Sequence, residues 1–190
     1  MNRPLILMFA LALGLSACKR AAPEQVDLTP TKEIVAGADL IDYDDEKGAY
    51  TCLAPRLWGI HEDGAATFVG PRDPKTTGSS YITIVRYPGS SKRWSDPQKY
   101  AESFWQVDPK NKQPTLEKRK IGDKTVIFLH QERPFYKLHS NKAEYMLRYD
   151  YAIIPIQDGF FVIEHRAPLN AYETTLPIFD AVVRSFKPKI

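Results

Sequence analysis

Four histidines and two cysteines are the side chains of this 190-residue sequence best suited to metal or nucleophilic chemistry. Their spacing supports neither. His61, His130, His139 and His165 lack the short intervals of a structural or catalytic zinc site, where paired ligands must sit on one turn or one face. His61-Glu62-Asp63 reads as a loop that offers nitrogen and oxygen ligands, and a solvated acidic turn accounts for it equally well. Asp42, Asp44, Asp45 and Glu46 form the densest acidic cluster, but Tyr43 interrupts it and the glycine and distal glutamate of a calcium loop are missing. No serine stands in a G-x-S-x-G elbow, and Gly78-Ser79-Ser80 and Gly89-Ser90-Ser91 read as turns. Cys52 would need a histidine beside it to become a reactive thiolate. It alternates with Tyr50 and Ala54 on one face of a strand, which makes it a buried structural thiol. The sequence therefore assigns no catalytic residue, no metal ligand and no bound cofactor.

Cys18 is the cysteine with a clear chemical context. Arg3 precedes an apolar run of eleven residues, Leu5 to Leu15, that ends in Leu15-Ser16-Ala17-Cys18. At about 1.5 Å of rise per residue, a run of this length is too short to span a bilayer and right for a signal h-region. The whole segment resembles a bacterial lipoprotein signal peptide ending in a lipobox. The resemblance implies that residues 1–17 are removed, that the Cys18 thiol receives a diacylglycerol, and that the new amino terminus is acylated. Several acyl chains at about 0.8 kcal/mol per buried methylene make a stable anchor where one chain does not. The expected location is a bacterial membrane surface facing the periplasm. By the sorting pattern of Gram-negative lipoproteins, Lys19 after the modified cysteine points to the outer membrane. Lys19 and Arg20 can touch anionic head groups or simply be solvated.

Loss of Arg3 leaves 25 Lys and Arg against 23 Asp and Glu, a near-neutral chain unsuited to nucleic-acid binding. With Cys18 acylated, Cys52 has no disulfide partner. Residues 18–40 read as a tether: Ala21-Ala22-Pro23 and Pro30-Thr31 lie in a stretch without a sustained apolar period. Residues 41–190 are expected to form a single domain.

Within that domain, Tyr50–Leu53, Ala66–Val69 and Ser80–Tyr87 read as strands closed by proline and glycine turns. Asp96 and Pro97 suit the first positions of a helix whose stripe is Tyr100, Ala101, Phe104 and Trp105. Thr115–Ile121 and Lys124–Gln131 form a hairpin through Gly122-Asp123. Tyr145–Ile156 and Phe160–His165 form a longer one near the sheet centre, with Pro155 marking a bulge or strand end. Leu176, Phe179, Val182, Val183 and Phe186 define a closing helix with Pro177 near its start. The expected class is α+β, an antiparallel sheet flanked by helices.

Gly48-Ala49-Tyr50, Leu53-Ala54-Pro55, Trp58, Phe68 and Gly70-Pro71, Asp158-Gly159-Phe160-Phe161, Ala167-Pro168 and the closing Ser185-Phe186-Lys187 together resemble the PsbP and DcrB-like superfamily over Tyr43 to Lys187. The resemblance implies an α-β-α sandwich, a structural place for Trp58, and binding or assembly work without catalysis. Lys92, Arg93 and Trp94, an aromatic flanked by cations, form the expected interaction surface. Lys118-Arg119-Lys120 reads as charged protection of a sheet edge. The partners expected are the membrane, through the lipid, and an envelope protein or cell-wall component. A metal-binding envelope protein and a hydrolase with an unrecognised active site are the other readings.

Overall fold

The computed structural model describes residues 39–71, 80–106, 114–136 and 142–189. The expected signal segment, Cys18, Lys19, Arg20 and His139 lie outside the described residues. A seven-stranded antiparallel sheet dominates. Its strands are β3 (Trp58–Asp63), β4 (Ala66–Pro71), β5 (Tyr81–Tyr87), β6 (Thr115–Ile121), β7 (Lys124–Tyr136), β8 (Ala143–Ile156) and β9 (Gly159–Pro168), in the spatial order β3-β4-β5-β9-β8-β7-β6. A second sheet, in the order β1-β2-β10, joins β1 (Leu40–Asp44), β2 (Tyr50–Pro55) and β10 (Lys187–Pro188).

Strand alternation divides the interior in two, because successive side chains point to opposite faces. On one face Val126, Phe128, Ala152, Ile154, Phe161 and Ile163 meet helix α2 (Leu169–Ser185) and the small sheet. On the other face their neighbours Ile127, Leu129, Tyr151, Ile153, Phe160 and Val162 meet helix α1 (Pro97–Glu102). The result is an α+β sandwich with helices on both faces of an antiparallel sheet. Each large side chain buried in this way, such as Phe161 at 1% exposure, stabilises the fold by about 1.5–3 kcal/mol.

Helix α1 starts where its chemistry requires. Asp96 Oδ1 accepts from the backbone N–H of Gln98 and Lys99 at 2.7 and 3.0 Å, and Pro97 occupies the first helical position. A 3-10 turn, Ser103–Gln106, continues it.

Three expectations need correction. Pro177 lies in the middle of α2, not near its start. The first half, with Tyr172, Thr174 and Thr175, carries little helix propensity, so burial of Ala171, Tyr172 and Thr175 holds it in place of an apolar period. His61-Glu62-Asp63 is the outer half of strand β3, which is an edge strand and so lacks a clean alternation. Strand β1, unpredicted, begins at Leu40, the last residue assigned to the tether, and likewise forms a sheet edge. Pro155 fits a strand end, pairing with Phe160 one residue before β8 stops; the register shift lies instead at Phe135 and Tyr136.

Candidate functional site: a histidine row across the sheet and an open groove

Register alone assembles the densest titratable cluster. His130 on β7 pairs with Asp150 on β8, and Asp150 pairs with His165 on β9, so three polar side chains stand in a row across the sheet centre beneath α2. His130 Nδ1 donates to Asp150 Oδ1, and His130 Nε2 lies 3.3 Å from Glu117 Oε1 on β6. Asp150 Oδ2 stands 3.5 Å from His165 Nδ1. His165 Nε2 is 2.9 Å from Thr175 Oγ1, and its ring lies between Tyr172 and Phe179 of α2. Thr175 has one hydroxyl proton and three acceptors within reach, His165 Nε2 and the carbonyls of Ala171 at 3.1 Å and Tyr172 at 3.3 Å. Donation to Nε2 leaves the ring proton on Nδ1, which places a positive dipole against the carboxylate rather than a lone pair.

Asp150 and His165 are both 0% exposed. Burial opposes ionisation of Asp150, but hydrogen bonds from His130, His165 and Tyr172 outweigh it and hold the carboxyl well below the usual carboxylate range. The bond to Asp150 in turn raises the pKa of His130 against the opposing effect of burial. The arrangement can store and orient a proton. No serine or cysteine nucleophile stands within this hydrogen-bonded row. Among the described residues, no group of three or more His, Cys, Asp and Glu side chains converges to hold a metal ion.

Concave, accessible surface lies elsewhere. The turn after β1, the turn after β3 and strands β5 and β9 enclose a cavity of about 500 Å³ between the two sheets. Its apolar floor includes Tyr50, Ile84 and Phe161, and Lys47 and Arg86 bring positive charge to its wall. Asp45, 6% exposed, is tied into its own turn, where its Oδ2 accepts from Ala49 N–H at 2.9 Å. Lys47 Nζ donates to the Gly64 carbonyl and lies 3.8 Å from Glu62, so it bridges the two turns that form one wall. Gly48 and Gly64, at φ +68 and +59, permit those turns.

The architecture has solved counterparts. A crystal structure from Bacteroides thetaiotaomicron VPI-5482 superposes with a TM-score of 0.54 at 12% identity, covering 78% of this chain and 48% of that one. The chain thus spans about half the length of that protein. The Ran-binding protein Mog1p of Saccharomyces cerevisiae gives 0.53 at 13% identity, covering 80% and 96% of the two chains. Cyanobacterial PsbP from Synechocystis sp. PCC 6803 gives 0.50 at 13% identity over 80% and 93%. The fold is PsbP-like. No family model matches the sequence, and no curated protein matches it significantly.

On this PsbP-like frame, the residues singled out in the sequence fall into separate places. Lys92 and Arg93 are exposed, but Trp94 is half-buried, edge-on to Tyr100 at 5.3 Å in the core under α1, with the Arg93 guanidinium 5.2 Å from its ring centre. The expected free-standing aromatic is therefore partly a core residue, since Tyr100 in the first turn of α1 offers it an apolar neighbour. Trp58 is 1% exposed, at the structural place expected. Cys52 is free, 4% exposed and among core residues, and burial pushes its thiol up to about 12. Lys118, Arg119 and Lys120 line the exposed edge strand β6. The acidic cluster disperses: Asp44 pairs with Lys189 at 2.6 Å, while Asp45 caps its turn.

Sequence reasoning missed the histidine row and the groove. The row carried one usable signal, a polar residue interrupting an otherwise apolar strand, in Val126-Ile127-Phe128-Leu129-His130, in Asp150 before Tyr151-Ala152-Ile153-Ile154, and in Phe161-Val162-Ile163-Glu164-His165. The groove carried none, because turns distant in sequence form it.

Proposed function

We propose that the chain is the precursor of a lipid-anchored envelope protein whose folded part is a non-enzymatic binding module. One observation carries the reading. Asp150, His165 and Thr175 are fully buried beneath α2 and no serine or cysteine stands in their hydrogen-bonded row, whereas the concave surface between the sheets has an apolar floor and a charged wall. That division suits recognition rather than turnover. Cys18 supplies the anchor through its diacylglycerol and N-acyl chain, facing the periplasm, and Lys19 directs it to an outer membrane. Among the described residues no helix is long and apolar enough to cross a membrane. The partner is an envelope protein or cell-wall component, reached through a tether that keeps the domain concentrated at the membrane surface. Mog1p, a Ran-binding protein, offers a precedent for docking by a protein of this fold, by analogy of fold alone.

Mass spectrometry of the mature amino terminus tests the anchor: a triacylated Cys18 is expected, and an unmodified cysteine removes the lipoprotein reading. Crosslinking in intact membranes tests the partner. A reproducible envelope partner, lost when Cys18→Ser releases the chain, is expected; recovery of none counts against the binding module.

A further inference from the structure

The groove between the sheets holds two buried hydrogen-bond donors without a fully formed hydrogen bond. Tyr50 is 3% exposed, its ring fixed by stacking on Phe186 at 5.0 Å and by an edge contact with Phe161 at 5.7 Å, yet its hydroxyl makes no full hydrogen bond among the described residues and has the Thr67 hydroxyl as a polar neighbour. Arg86 Nε is likewise buried without a partner, while the outer end of the same guanidinium reaches only to 3.8 Å from Asp158 Oδ2. Both side chains line the same cavity of about 500 Å³. Buried donors are nearly always paired, so two orphans on one cavity wall specify what should enter it.

The remaining lining narrows the chemistry. Ala49, Ile84, Pro88 and Phe161 offer an apolar floor, and the volume suits a small molecule. Lys47 and the Arg86 guanidinium bring positive charge to the wall. Burial raises the Tyr50 pKa far above its ordinary value, so the phenol remains a donor. Asp45, a largely buried residue on the same wall, disfavours a dianion such as a phosphate monoester and leaves a monoanion as the better match.

We propose that this groove binds a small amphiphilic carboxylate, its apolar body on Ile84 and Phe161 and its carboxylate accepting from Tyr50 Oη and Arg86 Nε. The inference deepens the binding-module reading by naming a ligand class for the groove.

The test uses the full lipidated chain in nanodiscs, with 3-phenylpropionate as probe and 3-phenylpropanamide and 3-phenylpropylamine as matched uncharged and cationic controls. Saturation-transfer NMR against empty nanodiscs, followed by titration, reads binding. The carboxylate is expected to bind, the amide more weakly, and the amine at least about tenfold more weakly than the acid, the factor expected for losing a charge-assisted hydrogen bond. Tyr50→Phe and Arg86→Gln should each weaken the carboxylate by about tenfold or more on the same grounds. Tyr50→Phe should leave the melting temperature unchanged or raised, because it deletes a buried hydroxyl without a full hydrogen bond; this separates a ligand-directed phenol from a structural one. Absence of carboxylate binding, equal binding of amine and acid, indifference to both variants, or a lowered melting temperature for Tyr50→Phe each overturns the assignment. An envelope partner still captured by a chain that fails to bind the carboxylate leaves the binding-module reading intact and removes only this ligand.

Discussion

His130 and Asp150 face each other as direct register partners on adjacent strands, and the nitrogen of one, partly exposed, donates to the fully buried oxygen of the other. Asp150 is fully buried and serves His165 on its other side, so it neutralises positive charge and dipole from two strands at once. Removing one member of a buried charged pair strands the other. Asp150→Ala should therefore destabilise the domain by about 3–5 kcal/mol, and Asp150→Asn by less, because the amide can still hydrogen-bond. Urea unfolding measures both, and a loss below about 1 kcal/mol for Asp150→Ala would show that the row contributes little.

The same pair sets a pH window. Asp150 is held below the carboxylate range in the folded chain, so its contribution is present above the unfolded value of about 4 and is lost as pH falls through the depressed folded value. His130 is raised, so its contribution is complete below the unfolded value of about 6.5 and is lost as pH rises through the folded value. The two together favour maximal stability between those limits, in mildly acid solution. His130→Gln should flatten the decline on the alkaline side and also soften the acid limb, because the His130 bond helps to hold Asp150 below the carboxylate range. Melting temperatures across a pH series give the comparison, and an unchanged alkaline limb in the variant would assign that limb to other groups.

How the row forms also explains what the sequence could reveal. Strands β7, β8 and β9 were readable because both their faces are buried, which leaves long apolar runs such as Phe160 to Ile163. Helix α1 was readable because Asp96 and Pro97 act locally. His130, Asp150 and His165 come together only through strand register, which depends on where each hairpin turns and which no local pattern encodes. Strands β1 and β3 escaped because an edge strand buries too little to alternate. Trp94 was misjudged in its exposure because its apolar neighbour, Tyr100, becomes adjacent only once the chain turns into α1.

Gly159 and Gly48 separate two reasons for using glycine. Both have positive φ, +104 and +68, but a Cβ on Gly159 would meet the Tyr87 carbonyl oxygen at 2.0 Å, whereas one on Gly48 would meet nothing within 4 Å. Gly48→Ala should cost only the backbone strain, about 1–2 kcal/mol. Gly159→Ala adds overpacking of about 1–3 kcal/mol, because the turn joining β8 to β9 can no longer close on the end of β5. Chemical denaturation of the two variants should therefore place Gly159→Ala clearly lower, and equal losses would contradict the close approach.

Cys52 should behave as a core methylene with sulfur attached. Its thiol is pushed up to about 12 by burial, with Asp45 adding to the rise, so at neutral pH almost no thiolate exists to react. Iodoacetamide should leave Cys52 unmodified in the folded chain and label it fully in urea, and Cys52→Ala should cost about 1 kcal/mol through the small cavity it creates. Rapid labelling under native conditions would return a thiol-based activity to consideration.

Trp94 and its two cationic neighbours can be told apart by stability and capture together. The Trp94 ring packs edge-on against Tyr100, an aromatic contact worth about 0.5–1.5 kcal/mol beyond its area burial, so Trp94→Ala should destabilise measurably. Lys92 and Arg93 are exposed, and replacing both with alanine should leave stability within about 0.5 kcal/mol of the parent. If this surface docks on an envelope partner, the double alanine variant should lose capture in crosslinked membranes while melting as the parent does. A double variant that keeps both its stability and its partner would confine Trp94 to a packing role and move the docking surface to another face of the domain.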